Sequence, residues 1–117
     1  MGTRYRIWLL ACTLLAVAAC GGGTAPAAEQ RVAVTVKEWG ITPAQLAAKA
    51  GTVTFVVKNG GSIEHDFAIE GVGKVETIGA GDSKPLTVTL APGTYAILCT
   101  LAGHKEAGMH GTLVVSP

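Results

Sequence analysis

Charged side chains are scarce in this sequence: they make up 15% of its 117 residues, and the formal net charge is only +1. Such a composition leaves no basic patch, which excludes the nucleic-acid-binding proteins that depend on one. A long apolar run is also missing, because the hydrophobic segment 7–19 is too short to span a bilayer. The length is enough for one domain and too short for two.

The hydrophobic segment 7–19 has the features of an export signal. A short basic region precedes it, and the sequence VAAC at residues 17–20 resembles the lipobox of bacterial lipoproteins. We therefore expect residues 1–19 to be removed as a lipoprotein signal peptide and Cys20 to be diacylated. The protein would then be exported and anchored to a membrane, facing the periplasm or the cell exterior. An ordinary cleavage site followed by an incidental cysteine is the alternative, but the three glycines after Cys20 are typical of a lipoprotein tether.

Cysteine is rare, with three residues in the whole chain. Cys12 would leave with the signal peptide and Cys20 would carry the lipid, so the exported domain would keep only Cys99. A disulfide within that domain is then impossible. A single thiol in an oxidising compartment is chemically vulnerable unless something occupies it, and a bound metal ion does so.

Residues 20–30 contain the predicted lipidated cysteine and a segment rich in glycine and alanine that has no hydrophobic pattern. We expect a flexible linker there, which would span roughly 17 Å root-mean-square for about ten residues. The folded domain is then expected to occupy residues 31–117.

The expected domain shows the alternation of apolar and polar side chains that indicates β-strands. Turn residues, above all glycine and proline, separate these runs. The runs are residues 32–36, 52–58, 63–70, 85–90, 94–100 and 111–115. Short strands at this spacing predict an all-β, antiparallel sandwich or barrel of about seven to eight strands with Greek-key connections.

Several other positions have simple structural interpretations. Residues 44–49 (AQLAAK) are the best helix candidate, but so short a segment is marginal as a helix, and we expect a strand with an irregular start. Tyr95 follows a Pro-Gly turn and is expected to be a corner tyrosine of a Greek-key sandwich. Trp39 is expected in the core or at its rim, and Glu64 and Glu70 are expected in solvent.

Four side chains indicate a metal site: His65, and the group Cys99, His104 and Met109 within one stretch. Two imidazoles and a thiolate with a weakly bound axial methionine are the ligands of blue-copper electron-transfer sites. Taken singly, each has an ordinary role, because a buried cysteine is a small hydrophobe, methionine fills cores, and histidine beside an acid forms a surface pair. Their combination and order favour the metal site. His110 matches no ligand position, so we expect it at the surface, with substitution for Met109 as the alternative.

Residues 100–110 connect the strand that ends near Cys99 to the last predicted strand, so they form a loop at one end of the sandwich. Gly103 and Gly108 each precede a ligand candidate by one residue and supply the backbone freedom that such a loop needs. His65 comes from a different strand. Three ligands are therefore expected from one loop and one from across the fold.

The sequence resembles the cupredoxin family, the group of small blue copper proteins that includes plastocyanin and azurin. The resemblance covers nearly all of residues 31–117. It rests on EWGITP at residues 38–43, HDF at 65–67, PGTY at 92–95, the ligand loop, and GTLVV at 111–115. The ligand spacing Cys-x4-His-x4-Met is similar to that of longer-loop members such as auracyanin and rusticyanin. The resemblance implies a cupredoxin sandwich that holds one copper ion, as Cu(I) or Cu(II).

The resemblance also implies roles for residues around the metal. In the family, the residue after the upstream histidine ties the ligand segments together by hydrogen bonds. Asp66 stands at that position, where Asn is common, and Thr100 is its expected partner. The loop histidine of the family lies at the surface inside an apolar collar, so electrons are expected to leave through His104. The collar is then expected to consist of Leu101, Ala102 and Met109.

These expectations describe an electron carrier that works by outer-sphere transfer at a membrane surface. Its expected partners are redox proteins such as a cytochrome or a membrane oxidoreductase, and we expect a monomer. The alternative is a copper protein for storage, delivery or sensing, which would favour exposed ligands and tracts rich in Met or His; only Met109 would remain in the exported chain. An enzyme would need a second copper site, which the three histidines of the sequence do not provide. The same ligands also accept zinc.

Overall fold

The computed structural model describes residues 29–117. These residues form β-strands and contain no helix, which confirms the predicted all-β class. The strands are β1 (Gln30–Lys37), β2 (Gly40–Thr42), β3 (Gln45–Lys49), β4 (Gly51–Asn59), β5 (His65–Ile69), β6 (Gly73–Ile78), β7 (Ser83–Leu90), β8 (Gly93–Leu98) and β9 (His110–Ser116). Two of them, β2 and β6, have no counterpart among the sequence predictions. The first is only 3 residues long, and the second has too few apolar side chains to show alternation.

The predicted signal peptide (1–19), the lipidation site Cys20 and nearly all of the predicted linker lie outside the described residues. The first strand begins at Gln30, whose side chain is fixed to the backbone of Lys49. Its Nε2 donates to the Lys49 carbonyl at 2.9 Å, and its Oε1 accepts from the Lys49 N–H at 2.8 Å. Between residues 29 and 117, no helix has the length and apolar character needed to cross a membrane.

The strands form two sheets that pack face to face. One sheet has the order β2-β1-β4-β7, and the other has the order β3-β9-β8-β5-β6. Strands distant in sequence, such as β4 and β7, are neighbours, as Greek-key connections require. Two pairs, β1 with β4 and β3 with β9, are parallel, so the prediction of a purely antiparallel sandwich was wrong. Parallel neighbours cannot be joined by a tight hairpin, and here the chain passes through the opposite sheet between them.

The core lies between the two sheets. The four-stranded sheet contributes alternating residues of β1 and β4, namely Val34, Val36, Val53, Phe55 and Val57. The five-stranded sheet contributes Phe67, Ile69, Ile97, Leu113 and Val115. The rings of Phe55 and Phe67 meet across the interface, with centroids 6.0 Å apart. Each fully buried side chain of this kind stabilises the fold by about 1.5–3 kcal/mol, so this layer holds the two sheets together.

Two local predictions are confirmed. The segment considered as a helix is the strand β3, which pairs in parallel with β9. Tyr95 is a corner tyrosine, since its hydroxyl donates to the backbone carbonyl of Ala91 at 2.7 Å. That hydrogen bond ties the start of β8 to the turn that precedes it.

One end of the sandwich brings the ligand candidates together. Strand β5 begins at His65 and runs antiparallel to β8, which ends at Leu98. The start of β5 and the end of β8 therefore lie at the same end of the sheet. The chain then leaves β8 at Cys99 and returns as β9 at His110, and the Cys99 N–H donates to the Met109 carbonyl at 3.0 Å to close the loop at its base.

Candidate metal centre

The donor atoms of His65, Cys99 and His104 lie within 4.8 Å of one another. The Nδ1 atoms of the two imidazoles are 3.2 Å apart, and Sγ of Cys99 is 3.5 Å from Nδ1 of His104. His65 and Cys99 are fully buried, whereas His104 is partly exposed. The structure thus brings together a thiol from the loop base, an imidazole from the loop and an imidazole from β5.

The backbone of the 99–109 loop depends on two glycines. Gly103 has a φ of 79° and Gly108 a φ of 126°, both in the region that side chains disfavour. A Cβ at Gly108 would also lie 2.7 Å from the backbone oxygen of Trp39. Between them the loop turns so that the Met109 N–H donates to the His104 carbonyl at 3.1 Å. The glycines therefore allow the compact turn that holds His104 and Met109 near Cys99, as the sequence predicted.

Met109 is fully buried and belongs to the same hydrophobic core as Cys99. Its backbone bonds to Cys99 and His104 fix its position beside both residues. The expectation that Met109 forms part of a surface collar was wrong. Its backbone pairs with the end of β8, and its side chain packs inward with the core.

The surface around His104 is formed by other residues. Trp39 is 51% exposed, and Ala102 is also exposed. The Trp39 ring meets the His104 imidazole edge to face, with centroids 5.1 Å apart and planes at 86°. The apolar rim of the site therefore consists of Trp39, Leu101 and Ala102, and the last two are residues expected in the collar. Trp39 lies at the rim, which is one of the two positions expected for it.

Asp66 joins β5 to the loop. Its Oδ1 accepts from the Thr100 N–H at 2.6 Å, and its Oδ2 accepts from the Thr100 hydroxyl. Asp66 is only 3% exposed, so these bonds satisfy a buried carboxylate. The two residues adjoin His65 and Cys99 in sequence, and the contact expected from the family resemblance is present.

Glu38 is part of the centre, although the sequence interpretation gave it no role. Its carboxylate lies 3.0 Å from Nε2 of His65, on the opposite side of the ring from the Nδ1 that faces His104. It also accepts from the backbone N–H groups of Ser62 and Ile63, each at 3.0 Å. The Ile63 hydrogen bond contributes most to lowering the pKa of Glu38, from 4.5 to about 2. Glu38 lies 27 residues before His65 and opens the EWGITP segment of the family resemblance, but its sequence neighbours do not show that it would reach a ligand.

Burial raises the pKa of the Cys99 thiol above its ordinary value. The thiol is therefore protonated at neutral pH before metal binding. A metal ion would displace that proton, because thiolate and not thiol is the ligand.

The donor set fits copper. A thiolate, two imidazoles and a thioether are soft or borderline donors, which suit copper and accept zinc. The two nearby carboxylates, Asp66 and Glu38, are occupied by N–H and O–H donors, so the site lacks the six or more oxygen ligands of a calcium ion. His110 is exposed at the start of β9 and is not a member of the cluster, in agreement with its expected surface position.

A family model for the cupredoxin-like domain matches residues 8–115, so the chain belongs to the cupredoxin-like family. Auracyanin-B of Chloroflexus aurantiacus is 54% identical over 41 residues, which are 34% of this chain and 17% of that relative. The chain therefore matches only a small part of that curated protein. A solved structure of auracyanin B has a TM-score of 0.66 at 26% identity and covers 81% of this chain and 93% of its own.

Two further solved structures share the fold. Reduced auracyanin from Roseiflexus castenholzii has a TM-score of 0.70 at 22% identity and covers 76% of this chain and 98% of its own. A copper-containing nitrite reductase from Thermus scotoductus has a TM-score of 0.60 at 19% identity, and the match covers 77% of this chain but only 28% of the enzyme. The cupredoxin sandwich thus occurs both alone and as one part of a larger enzyme.

Proposed function

We propose that this protein is a blue copper electron carrier that holds one copper ion through His65, Cys99, His104 and Met109. The observation that carries the proposal is the convergence of a buried thiol and two imidazole nitrogens within 4.8 Å at the loop end of a cupredoxin sandwich. Bound copper would supply a one-electron couple between Cu(I) and Cu(II). The similarity to auracyanins, one of which is described as a blue copper protein, supports this reading.

The surrounding residues keep the donors in place and exclude water. His65 and Cys99 are fully buried, and each is next to a member of the Asp66–Thr100 hydrogen-bonded pair. Their donor atoms are fixed by the sheet and by backbone hydrogen bonds. A scaffold that holds its ligands in one arrangement keeps structural change small when the charge of the centre changes, which favours rapid electron exchange.

His104 is the proposed point of contact with redox partners. It is partly exposed, and within residues 29–117 its Nε2 has no protein hydrogen-bond partner. The apolar rim surrounds it. Small apolar surfaces of this kind suit weak, short-lived encounters. We infer that the partners are redox proteins such as a cytochrome or a membrane oxidoreductase, and that the carrier acts as a monomer.

The N-terminal sequence supports a place for this carrier at a membrane. We infer that residues 1–19 are a signal peptide, that Cys20 is lipidated, and that the domain faces the periplasm or the cell exterior. Cys20→Ser should move the protein from the membrane fraction to the soluble fraction, and Cys12→Ser is the matched control that should leave it in place. Unchanged fractionation of Cys20→Ser would contradict the lipid anchor.

The burial of His65 and Cys99 speaks against a role in copper storage or delivery, which needs ligands that exchange readily. We also infer that the protein is not an enzyme. Within residues 29–117 the only cluster of three or more metal-binding side chains is the one described. The similarity to nitrite reductase concerns the shared sandwich alone.

Spectroscopy of the copper-loaded protein tests the proposal. Thiolate-to-Cu(II) charge transfer should give an intense blue or green colour, with a paramagnetic signal that disappears reversibly on one-electron reduction. A colourless Cu(I) complex that a mild chelator strips would instead support the delivery role.

A further inference from the structure

The buried imidazole of His65 is held from behind by a carboxylate. Its Nε2 is 3.0 Å from Oε1 of Glu38, and its Nδ1 is 3.2 Å from Nδ1 of His104. An ionised carboxylate only accepts hydrogen bonds, so Nε2 of His65 must carry the proton. The lone pair is then on Nδ1, the nitrogen that faces the other donors. Glu38 therefore selects the tautomer that a metal ion requires.

The Glu38 carboxylate is itself fixed by the turn before β5. The N–H groups of Ser62 and Ile63 both donate to it, and hydrogen bonds of this kind favour the charged carboxylate. A Cβ at Gly61 would lie 2.7 Å from the carboxyl carbon of Glu38. A side chain at position 61 would therefore displace the carboxylate from its place in the turn. The turn that leads into His65 is built around this one side chain.

We propose that Glu38 is a positioning residue of the copper site, which orients His65 through Nε2 and favours the oxidised state through its negative charge. The inference rests on the proposed copper function. A carboxylate behind a ligating imidazole makes that imidazole a stronger donor than a neutral acceptor would. The stronger donor stabilises Cu(II) more than Cu(I), so Glu38 lowers the reduction potential of the centre.

Glu38→Gln tests the role of the charge. The amide oxygen can still accept from Ser62, Ile63 and His65, so the turn is retained while the charge is lost. We expect the affinity for Cu(II) relative to Cu(I) to fall about tenfold, which for one electron is a rise of about 59 mV in reduction potential. Glu64→Gln is the matched control, because Glu64 also adjoins His65 but is exposed. Glu64→Gln should change the affinity for Cu(II) relative to Cu(I) much less.

A second measurement reports on the hydrogen bond without electron transfer. In the protein loaded with Zn(II), which is diamagnetic, proton NMR should show a slowly exchanging Nε2–H signal from His65 at low field. Glu38→Ala should lose that signal through exchange with water, and Glu38→Gln should shift it to higher field. Glu64→Gln should leave it unchanged.

The outcomes separate this inference from the proposed function. A wild-type protein that binds no copper and develops no colour would overturn the proposed function and this inference with it. A blue wild type with an unchanged potential and Nε2–H signal in Glu38→Gln would overturn only the role of Glu38. An equal shift of potential in Glu64→Gln would also overturn it, because any nearby charge would then suffice.

Discussion

The two histidines of the centre differ in almost every physical respect. His65 begins a fully buried strand, and both of its ring nitrogens have protein neighbours. His104 lies in a loop between two glycines of positive φ and is partly exposed, and within residues 29–117 only its Nδ1 has a protein atom at hydrogen-bond distance. The centre thus has a strand side around His65, which fixes its geometry, and a loop side, residues 100–109, which places His104 at the surface.

The contacts that hold each side also differ in range. The strand side contacts core residues and Glu38, which are far from His65 in the sequence. The loop side is held mainly by short-range backbone bonds, such as His104 N–H to the Leu101 carbonyl at 3.0 Å and Gly108 N–H to the Lys105 carbonyl at 3.0 Å. Changes in the loop should therefore alter the centre without unfolding the domain, whereas changes in the strand should do both.

Cys99 is shared by both sides, so its replacement should have the largest effect on the centre. Cys99→Ala removes the thiolate and should abolish the charge-transfer colour entirely, as measured by visible absorption of the copper-loaded protein. The fold should persist, because alanine is tolerated at a small buried site. Retention of the intense colour would show that another sulfur supplies the transition.

Removal of each imidazole should have a different consequence, because His65 is buried and His104 is partly exposed. His104→Gly leaves a gap near solvent that added imidazole can fill, so the colour should return when imidazole is titrated into the copper-loaded variant. His65→Gly leaves a gap in the core that solutes cannot reach, and no recovery is expected. Recovery in both variants, measured by visible absorption, would contradict the assignment of one buried and one accessible side.

Truncation of an apolar side chain should lower the free energy of unfolding much more on the strand side than on the loop side. Phe67→Ala removes a fully buried ring from β5 and should lower the free energy of unfolding by about 3–5 kcal/mol. Leu101→Ala removes a partly exposed side chain from the loop and should cost only about 1 kcal/mol. Denaturant titration of the metal-free proteins measures both values. Equal losses would show that the loop is as much a part of the core as the strand.

Weakening the Asp66–Thr100 hydrogen bonds, which join the two sides, should have a moderate effect on stability. Asp66→Asn keeps an oxygen for the Thr100 N–H but replaces a charged acceptor with a neutral amide. We expect a loss of about 1 kcal/mol in the free energy of unfolding, since hydrogen bonds to charged groups are worth more than neutral ones. Thr100→Val, which removes only the hydroxyl, is the control that apportions the two bonds. A gain in stability for Asp66→Asn would show that burial of the charge costs more than its bonds return.

Replacement of Met109 should have the smallest effect on the stability of the fold and on copper retention. Met109→Leu keeps the apolar volume of a fully buried residue. The variant should hold copper but show a higher reduction potential, because a weak donor to Cu(II) is lost. Voltammetry of the copper-loaded variant measures the shift, and a variant that no longer holds copper would show that Met109 is more than a tuning ligand.

The sequence predicted the parts of the centre that are local in the chain. Cys99, His104 and Met109 share one loop, whose glycines show where the backbone must turn, and the strands around it follow from alternation. Tyr95 was predictable because the turn and the tyrosine are adjacent. In each case the residues that determine the local structure are neighbours in the sequence.

The features that were missed depend on contacts between distant segments. The alternation of apolar and polar residues does not reveal the parallel pairing of β1 with β4 and of β3 with β9. That pairing depends on which sheet each strand joins. Glu38 and Trp39 sit in a turn after β1, and only the folded chain brings them to His65 and His104. Met109 was expected at the surface but is buried, because burial at the loop end is set by packing from both sheets.

The position of β9 determines when the centre can form. It is the last of the described strands, yet it lies inside its sheet, between β3 and β8. Without residues 110–116, β3 would lose its neighbour in the sheet, and β8 would keep only β5. The loop that carries Cys99 and His104 is closed at its base by Met109, directly before β9. The three donors can therefore converge on one ion only after β9 has joined its sheet.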